Sequence, residues 1–485
     1  MAGEHLLEKL QSYAESDIYP YHMPGHKRRP WGRLPEELYQ IDVTEIEGFD
    51  NLHQPEQILL ELQEEAARLY GAEESFYLVN GSTCGILSAV SAALPCGGHI
   101  LLARNCHKSA YHAAYLRQLK VTYLYPACLT KYDIFDAVEP GQIREALERE
   151  PDIGAVLIVT PTYEGRISDV RQIADIAHEK GIPLIVDEAH GAHLGLEEGF
   201  SENSCRLGAD LVVHSVHKTL PALTQTALLH VNGSLIDRAL LRRFLHIYQT
   251  SSPSYPLMAS IDNALRHISG EGKEAFCRFR KRFGDMMERL AGCACLEFLL
   301  PERGRQDTGK LLISVKNTGI TGKQLYDILL EKYRLQTEMA SVNFVLAMFT
   351  VNDGEEAYCR MEKALLETDA VLRRKRRENV RIKTAEPEED LPAAVYPLYE
   401  AWDMASELVP LTESAGRCAG EFINLYPPGI PLLAPGERMT RALCERISEA
   451  VEQGLQVQGI HRDGEAGNAV FVRMLCRQTN LFTDT

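Results

Sequence analysis

No apolar run in this chain approaches the roughly 20 residues needed to cross a membrane as a helix, which excludes a helical membrane span. The N-terminus, Met1-Ala2-Gly3-Glu4-His5, lacks a basic flank leading into an apolar stretch, so no signal peptide is expected. The twelve cysteines include no C-x-x-C pair. Cys293 and Cys295 come closest, and one intervening residue is poor spacing for zinc, so no metal site is expected. Such scattered thiols read as reduced groups of a cytoplasmic protein, several of them filling core space. Positive charge is in deficit, 51 Lys and Arg against 68 Asp and Glu, for a net −17. That balance argues against nucleic acid and anionic membranes as main partners. There is no internal repeat and no low-complexity segment.

At 485 residues the chain is too long for one ordinary core, and two to four domains are expected. Hydrophobic residues at 45% and charged residues at 25% are the proportions of a soluble globular protein. From about residue 74 to 230, apolar strand-like runs alternate with helical patterns, the signature of a mostly parallel sheet covered on both faces.

Within that region, Leu211-Val212-Val213 reads as a buried strand that delivers Ser215, His217 and Lys218 before Pro221 stops regular structure. Upstream, a strand over Ile182–Val186 ends in Asp187-Glu188-Ala189-His190-Gly191. A strand ending in Asp, followed by one ending in Ser-x-His-Lys, is the ordered pair that a pyridoxal 5'-phosphate (PLP) site needs. The lysine holds the aldehyde as a Schiff base, and the acid keeps the pyridine nitrogen protonated.

Asn80-Gly81-Ser82-Thr83-Cys84-Gly85 links a strand to an Ala-rich helix. Free backbone N–H groups and hydroxyls at such a turn make a phosphate cradle, although Ser and Thr are also ordinary helix caps. A strand over His99–Ala103 delivers Arg104-Asn105-Cys106-His107, which places His107 where α/β sheets put ligands; an imidazole stacked on the cofactor ring is the sharper reading, a structural histidine the plainer one. A strand over Ala155–Val159 yields the loop Thr160–Gly165, and a helix over Val170–Lys180 stops at the C-cap Gly181.

Outside the sheet region, residues 1–20 suggest a short helix with Leu6, Leu7 and Leu10 on one side. The arm from Tyr21 to Pro30 reads either as plain surface or as a segment wrapping a partner subunit. Pro55 precedes an amphipathic helix whose Ile58, Leu62, Ala66 and Leu69 share a face. The hydroxyl-rich Tyr248–Tyr255 segment is a turn or a phosphate contact, and a long helix follows it to about Leu290. A small α/β unit occupies about 291–370, with a strand over Lys310–Val315. The basic run Arg373–Arg377 reads as a solvated helix end, and Thr384–Asp390 as a linker. A last unit holds the rigid loops Tyr426-Pro427-Pro428-Gly429-Ile430-Pro431 and Ala434-Pro435-Gly436-Glu437.

Together, the segments His22–Lys27, Asp42–His53, Asn80–Gly85, Arg104–Ser109, Asp187–Gly191, Ser215–Lys218, Thr250–Tyr255 and Tyr426–Glu437 give the chain its likeness to a known group. It resembles the bacterial Orn/Lys/Arg decarboxylases, α/β enzymes of the aspartate-aminotransferase-like PLP fold (type I). The resemblance implies an arm over 1–52, a large PLP-binding domain over 53–290, a small α/β domain over 291–383 and a C-terminal domain over 384–485. It implies that Lys218 is the Schiff-base lysine, that Asp187 pairs with the pyridinium and that His107 stacks on the ring. Ser82, Thr83, Ser215 and His217 become phosphate ligands, with His190 completing the cofactor set. Ser251, in the Thr250–Ser252 segment, reaches the phosphate of a neighbouring protomer in a homodimer with shared sites. Glu437 resembles the acid that meets the distal cation of the substrate. The reaction implied is decarboxylation of arginine or lysine, with ornithine also open, feeding polyamine metabolism. An aminotransferase or aldolase on the same fold, or a non-catalytic decarboxylase-like regulator, are the alternatives. The chain is similar to the short form of the family, without the N-terminal response-regulator-like domain that assembles decamers in the large members.

Overall fold

The structure, a computed structural model, describes residues 5–20, 22–24, 26–29, 35–302, 304–375, 391–426, 429–462 and 469–476. The linker expected at Thr384–Asp390 lies outside these residues, as do Arg376 and Arg377 of the basic run and Pro427 and Pro428 of the proline loop.

Seven strands form the central sheet, in the spatial order Glu74–Leu78, Ala227–Val231, Leu211–His214, Leu184–Asp187, Ala155–Val159, His99–Ala103 and Lys120–Leu124. The last five in that row pair in parallel, and Ala227–Val231 runs antiparallel to both of its neighbours. Six strands therefore point the same way, as the sequence alternation predicts. The four inner strands of the parallel block are buried along their length, so they read as continuous apolar runs rather than as alternating ones. Helices cover the faces, among them Gly81–Ala93, Val170–His178 and the 36-residue Tyr255–Leu290.

Two local features show why the chain folds this way. Asp50, in the acidic stretch before Pro55, accepts the backbone N–H groups of Glu56, Gln57 and Leu59 and so caps the Ile58–Tyr70 helix. Gly85 lets the Gly81–Ala93 helix lie close on the sheet. A Cβ there would stand 2.7 Å from Leu78 Cδ1 and 3.0 Å from Val213 Cγ1.

Beyond the long helix, a four-stranded antiparallel sheet runs Glu297–Phe298, Lys310–Ser314, Phe344–Met348 and Met339–Ala340. Its apolar side joins the main core through Leu311, Ile313 and Val345. The C-terminal unit carries two three-stranded sheets and the helix Arg441–Glu452 around its own cluster, which includes Ile423, Leu433, Ile447 and Val472. Among the described residues no helix is long and apolar enough to cross a membrane. All twelve cysteines are unbridged.

Candidate active site

The parallel strands aim their carboxyl ends at one edge of the sheet, where open α/β sheets bind ligands. Asp187 is the last residue of its strand, Ser215 follows His214 directly, and His107 stands at the N-cap of the Lys108–Leu116 helix just after Ala103. The short turn of helix Val216–Thr219 then lifts Lys218 over this edge.

Lys218 Nζ lies 3.1 Å from His190 Nε2. Burial lowers the Lys218 pKa from that of a free lysine, and the nearby Asp187 carboxylate opposes that shift. Asp187 is buried, its carboxylate accepting among the described residues from the Ala189 N–H at 3.2 Å, and burial raises its pKa. A carboxylate this buried, with one neutral donor, is a place for a cation.

His107 accepts from the Ser109 N–H through Nδ1 at 3.2 Å, with the Ser109 hydroxyl at 2.9 Å. That fixes the neutral ring with its proton on Nε2. Burial first, then the Lys218 charge, lowers the His107 pKa to about 4, so the ring stays uncharged at neutral pH. The C-terminal unit closes over it. Lys108 N–H donates to Gly429 O at 3.3 Å, and a Cβ on Gly429, whose φ is +84°, would sit 3.5 Å from the imidazole.

The cradle residues occupy the start of the Gly81–Ala93 helix, Ser82 half-buried and Thr83 exposed, and the Asn80 side chain does not cap it. Ser215 Oγ is buried and has no hydrogen-bond partner among the described residues. His217 directs Nδ1 at Thr226 O, 2.8 Å away, and burial lowers its pKa. Ser251 is exposed, and its neighbour Thr250 bonds within the chain, to Asn80 through its N–H and to His53 through its carbonyl.

Glu437 departs from the expected role. Its two oxygens meet Arg104 Nε at 3.1 Å and Nη2 at 2.9 Å, and Oε2 also accepts the Ala434 N–H at 2.7 Å. The residue is 1% exposed. With both oxygens on Arg104, this carboxylate already has its cation within the chain. The structure gives it a different task, tying the C-terminal unit to the strand-end loop that carries His107.

Three further groups stand at the site: Tyr163 and Glu164, in the strand-end loop Thr160–Gly165 that the sequence marks as suited to lining a pocket, and Lys310, which the sequence reading passes over. Lys310, at the start of a small-sheet strand, is 2% exposed and places Nζ 2.8 Å from His190 Nδ1. Tyr163 packs edge-on against His190, with ring centroids 4.8 Å apart, and its hydroxyl donates to Glu338. Glu164, next to Tyr163, lines a cavity of about 330 Å³ between the sheet edge, the small sheet and the C-terminal unit. Asp133 and Tyr426 also line it, whereas Lys218, Asp187 and His107 do not. A lysine beside an apolar strand ordinarily reads as solvated, so sequence carried no signal for Lys310.

The sequence matches the Orn/Lys/Arg decarboxylase major domain over residues 5–303 and the C-terminal domain of the same enzymes over residues 383–475. The chain belongs to the Orn/Lys/Arg decarboxylase family. Members of this family are amino-acid decarboxylases, and the chain is an enzyme of that class. It is 34% identical over 464 residues to the uncharacterized protein YaaO of Bacillus subtilis, covering 94% of this chain and 95% of that one. It is 31% identical over 467 residues to an arginine decarboxylase of Bacillus anthracis, covering 94% of each. The lysine decarboxylase LdcF of Francisella novicida superposes with a TM-score of 0.83 at 17% identity, over 97% of this chain and 81% of that chain. A serine palmitoyltransferase of Sphingomonas wittichii superposes with a TM-score of 0.53 at 15% identity, over 64% of this chain and 76% of that chain. These two likenesses show the fold, that of the type I PLP enzymes.

Proposed function

We propose that this decarboxylase uses PLP to convert a basic amino acid, arginine in the first instance, to the corresponding amine and CO2. The observation that carries the reading is the convergence of Lys218, Asp187 and His107 on one sheet edge. Relatives at 30–31% identity that are arginine decarboxylases support the choice of arginine.

The residues present fit the cofactor. The uncapped helix start at Ser82 and Thr83, with the unpartnered Ser215 hydroxyl, suits a phosphate. Asp187, buried with a single neutral donor, suits a protonated ring nitrogen. When bound, the cofactor supplies the electron sink for the pair left at Cα as CO2 departs. Asp187 keeps the proton on the ring nitrogen, and His107 offers an uncharged ring face. Gly429, against His107, screens that side from water. Lys218 would hold the cofactor by its aldehyde, and its amine, when protonated, is placed at this edge to donate toward the substrate Cα. Glu164 and Asp133, on the wall of the adjoining cavity, supply negative charge for a guanidinium or ammonium.

In the same reading the chain divides into an arm (1–52), a large domain (53–290), a small domain (291–383) and a C-terminal domain (384–485). It works as a cytoplasmic homodimer in which Ser251 reaches a neighbour's phosphate site, and its product feeds polyamine synthesis. The exposure of Ser251 and the unbridged thiols support this.

A product assay on PLP-loaded protein tests the function, with arginine, lysine and ornithine offered separately and amine and CO2 scored. Agmatine with CO2 is the expected result. CO2 from lysine or ornithine alone would move the substrate assignment. A keto acid without CO2 would replace decarboxylation by transamination.

A further inference from the structure

His190 is held between two lysines. Its Nε2 is 3.1 Å from Lys218 Nζ, and its Nδ1 is 2.8 Å from Lys310 Nζ. A neutral imidazole has one N–H and one lone pair, so it accepts from one ammonium and must donate to the other amine. Two lysinium groups cannot both be satisfied by this ring. An imidazolium between two neutral amines would satisfy both contacts, but burial and the two lysines lower the His190 pKa far below that of a free imidazole.

We propose that Lys310 is the proton-exchange partner of Lys218, joined to it through His190 so that only one of the two amines is an ammonium at a time. The exchange is balanced. A proton leaves Lys310 Nζ for His190 Nδ1 while the Nε2 proton passes to Lys218 Nζ, and the ring changes tautomer with no net charge on it. The reverse step returns the proton. Lys310 acts through His190, and is a positioning residue for the proton rather than a catalytic one.

The surroundings allow either end to hold the charge. Around Lys310 stand Asp307, itself 2.9 Å from His193, together with Glu164, Glu338 and the Tyr163 ring at 5.6 Å. Around Lys218 stand Asp187, Glu338, His107 and His217. Burial lowers the Lys310 pKa to about 8, with Asp307 opposing and the Lys218 charge adding to the shift. Gly165, at φ +99°, makes room for this arrangement, since a Cβ there would lie 2.7 Å from Lys310 Cγ.

This deepens the proposed function by naming what controls the reactive lysine, and it rests on Lys218 being that lysine. Its test needs neither cofactor nor turnover. The full-length, cofactor-free protein is reductively methylated with formaldehyde and cyanoborohydride over about pH 6 to 10, and the rate at Lys218 is read by peptide mass spectrometry. Only the neutral amine attacks formaldehyde, so the rate follows deprotonation. In Lys310→Met, Lys218 no longer shares its proton, and its labelling near neutral pH should fall about tenfold, the effect of one pKa unit. In Lys310→Arg, a permanent cation forces the proton off Lys218, and labelling should rise by about the same factor. Opposite shifts that disappear when His190→Phe is added to both variants support the relay, because a packing defect would move both the same way and a through-space charge effect would survive loss of the imidazole. Unchanged Lys218 profiles, the same shift in both variants, or opposite shifts that survive His190→Phe would overturn it. Failure of decarboxylation alone would leave this result standing.

Discussion

The buried pair Arg104–Glu437 gives the sharpest test of how the C-terminal unit is held. Arg104 also donates through Nη1 to Pro431 O at 2.6 Å and to the Tyr111 hydroxyl at 3.0 Å, and through Nη2 to Leu432 O at 3.2 Å. The side chains of Arg104 and Glu437 are 5% and 1% exposed. Replacing Arg104 by Met leaves a buried carboxylate with the Ala434 N–H and no cation. Breaking a buried pair on one side costs about 3–5 kcal/mol, a large share of the roughly 5–15 kcal/mol that holds a folded protein together. The reporter is already in place. Trp402, in the C-terminal unit, lies with ring centroids 4.8 Å from Tyr115 and 5.6 Å from His112, both on the helix that His107 caps. In a Trp31→Phe background, urea titration of Arg104→Met should shift Trp402 emission to the red well before far-ultraviolet dichroism is lost. The double variant Arg104→Met with Glu437→Leu removes both charges, and should recover most of the loss. A loss below about 1 kcal/mol in the single variant, or no recovery in the double one, would refute the reasoning. So would a Glu437→Gln enzyme of wild-type stability whose only defect is a raised KM, which would restore Glu437 to the substrate.

Other consequences are as direct. Lys218→Ala should abolish turnover with the melting temperature preserved, and residual decarboxylation above background would contradict the mechanism. Gly85→Ala should destabilise the protein by about 1–3 kcal/mol, read by chemical denaturation, because the added methyl meets Leu78 and Val213 in a packed core. Burial lowers the His107 pKa to about 4 and the His214 pKa to about 3, so between these values and the ordinary 6.5 the unfolded chain binds more protons than the folded one. Their contribution to stability is therefore lost as pH falls from about 6.5. Glu188, raised to about 8 by burial, works oppositely, its contribution being lost as pH rises toward 8. Melting temperature against pH should fall on both sides of an optimum between these limits, and a flat profile would count against both shifts. Glu164→Gln should raise KM for a basic substrate more than it lowers kcat.

Much of the fold was legible because a buried parallel strand carries its own signal. His99–Ala103 and Ala155–Val159 are apolar runs bounded by turns, and the structure places them at those residues. Val170–His178 ends two residues before the expected Lys180, with Gly181 in the left-handed conformation at φ +67°. The placement of Lys218, Asp187 and His107 at one sheet edge was readable since Asp187 ends its strand and the other two lie within four residues of theirs. The Glu437 task was not. Its partner Arg104 is 333 positions away, and a carboxylate in a Pro-Gly loop looks the same whether it meets a substrate or an arginine. Lys310 was hidden for a similar reason, because its meaning depends on His190, 120 positions away.

The most direct measurement is borohydride reduction of the PLP-loaded protein followed by peptide mapping. The account predicts one pyridoxyl group per chain, on Lys218, and none after Lys218→Ala. A pyridoxyl group on Lys310 or elsewhere, or PLP held without a reducible bond, would contradict the assignment of Lys218 as the centre of the chemistry.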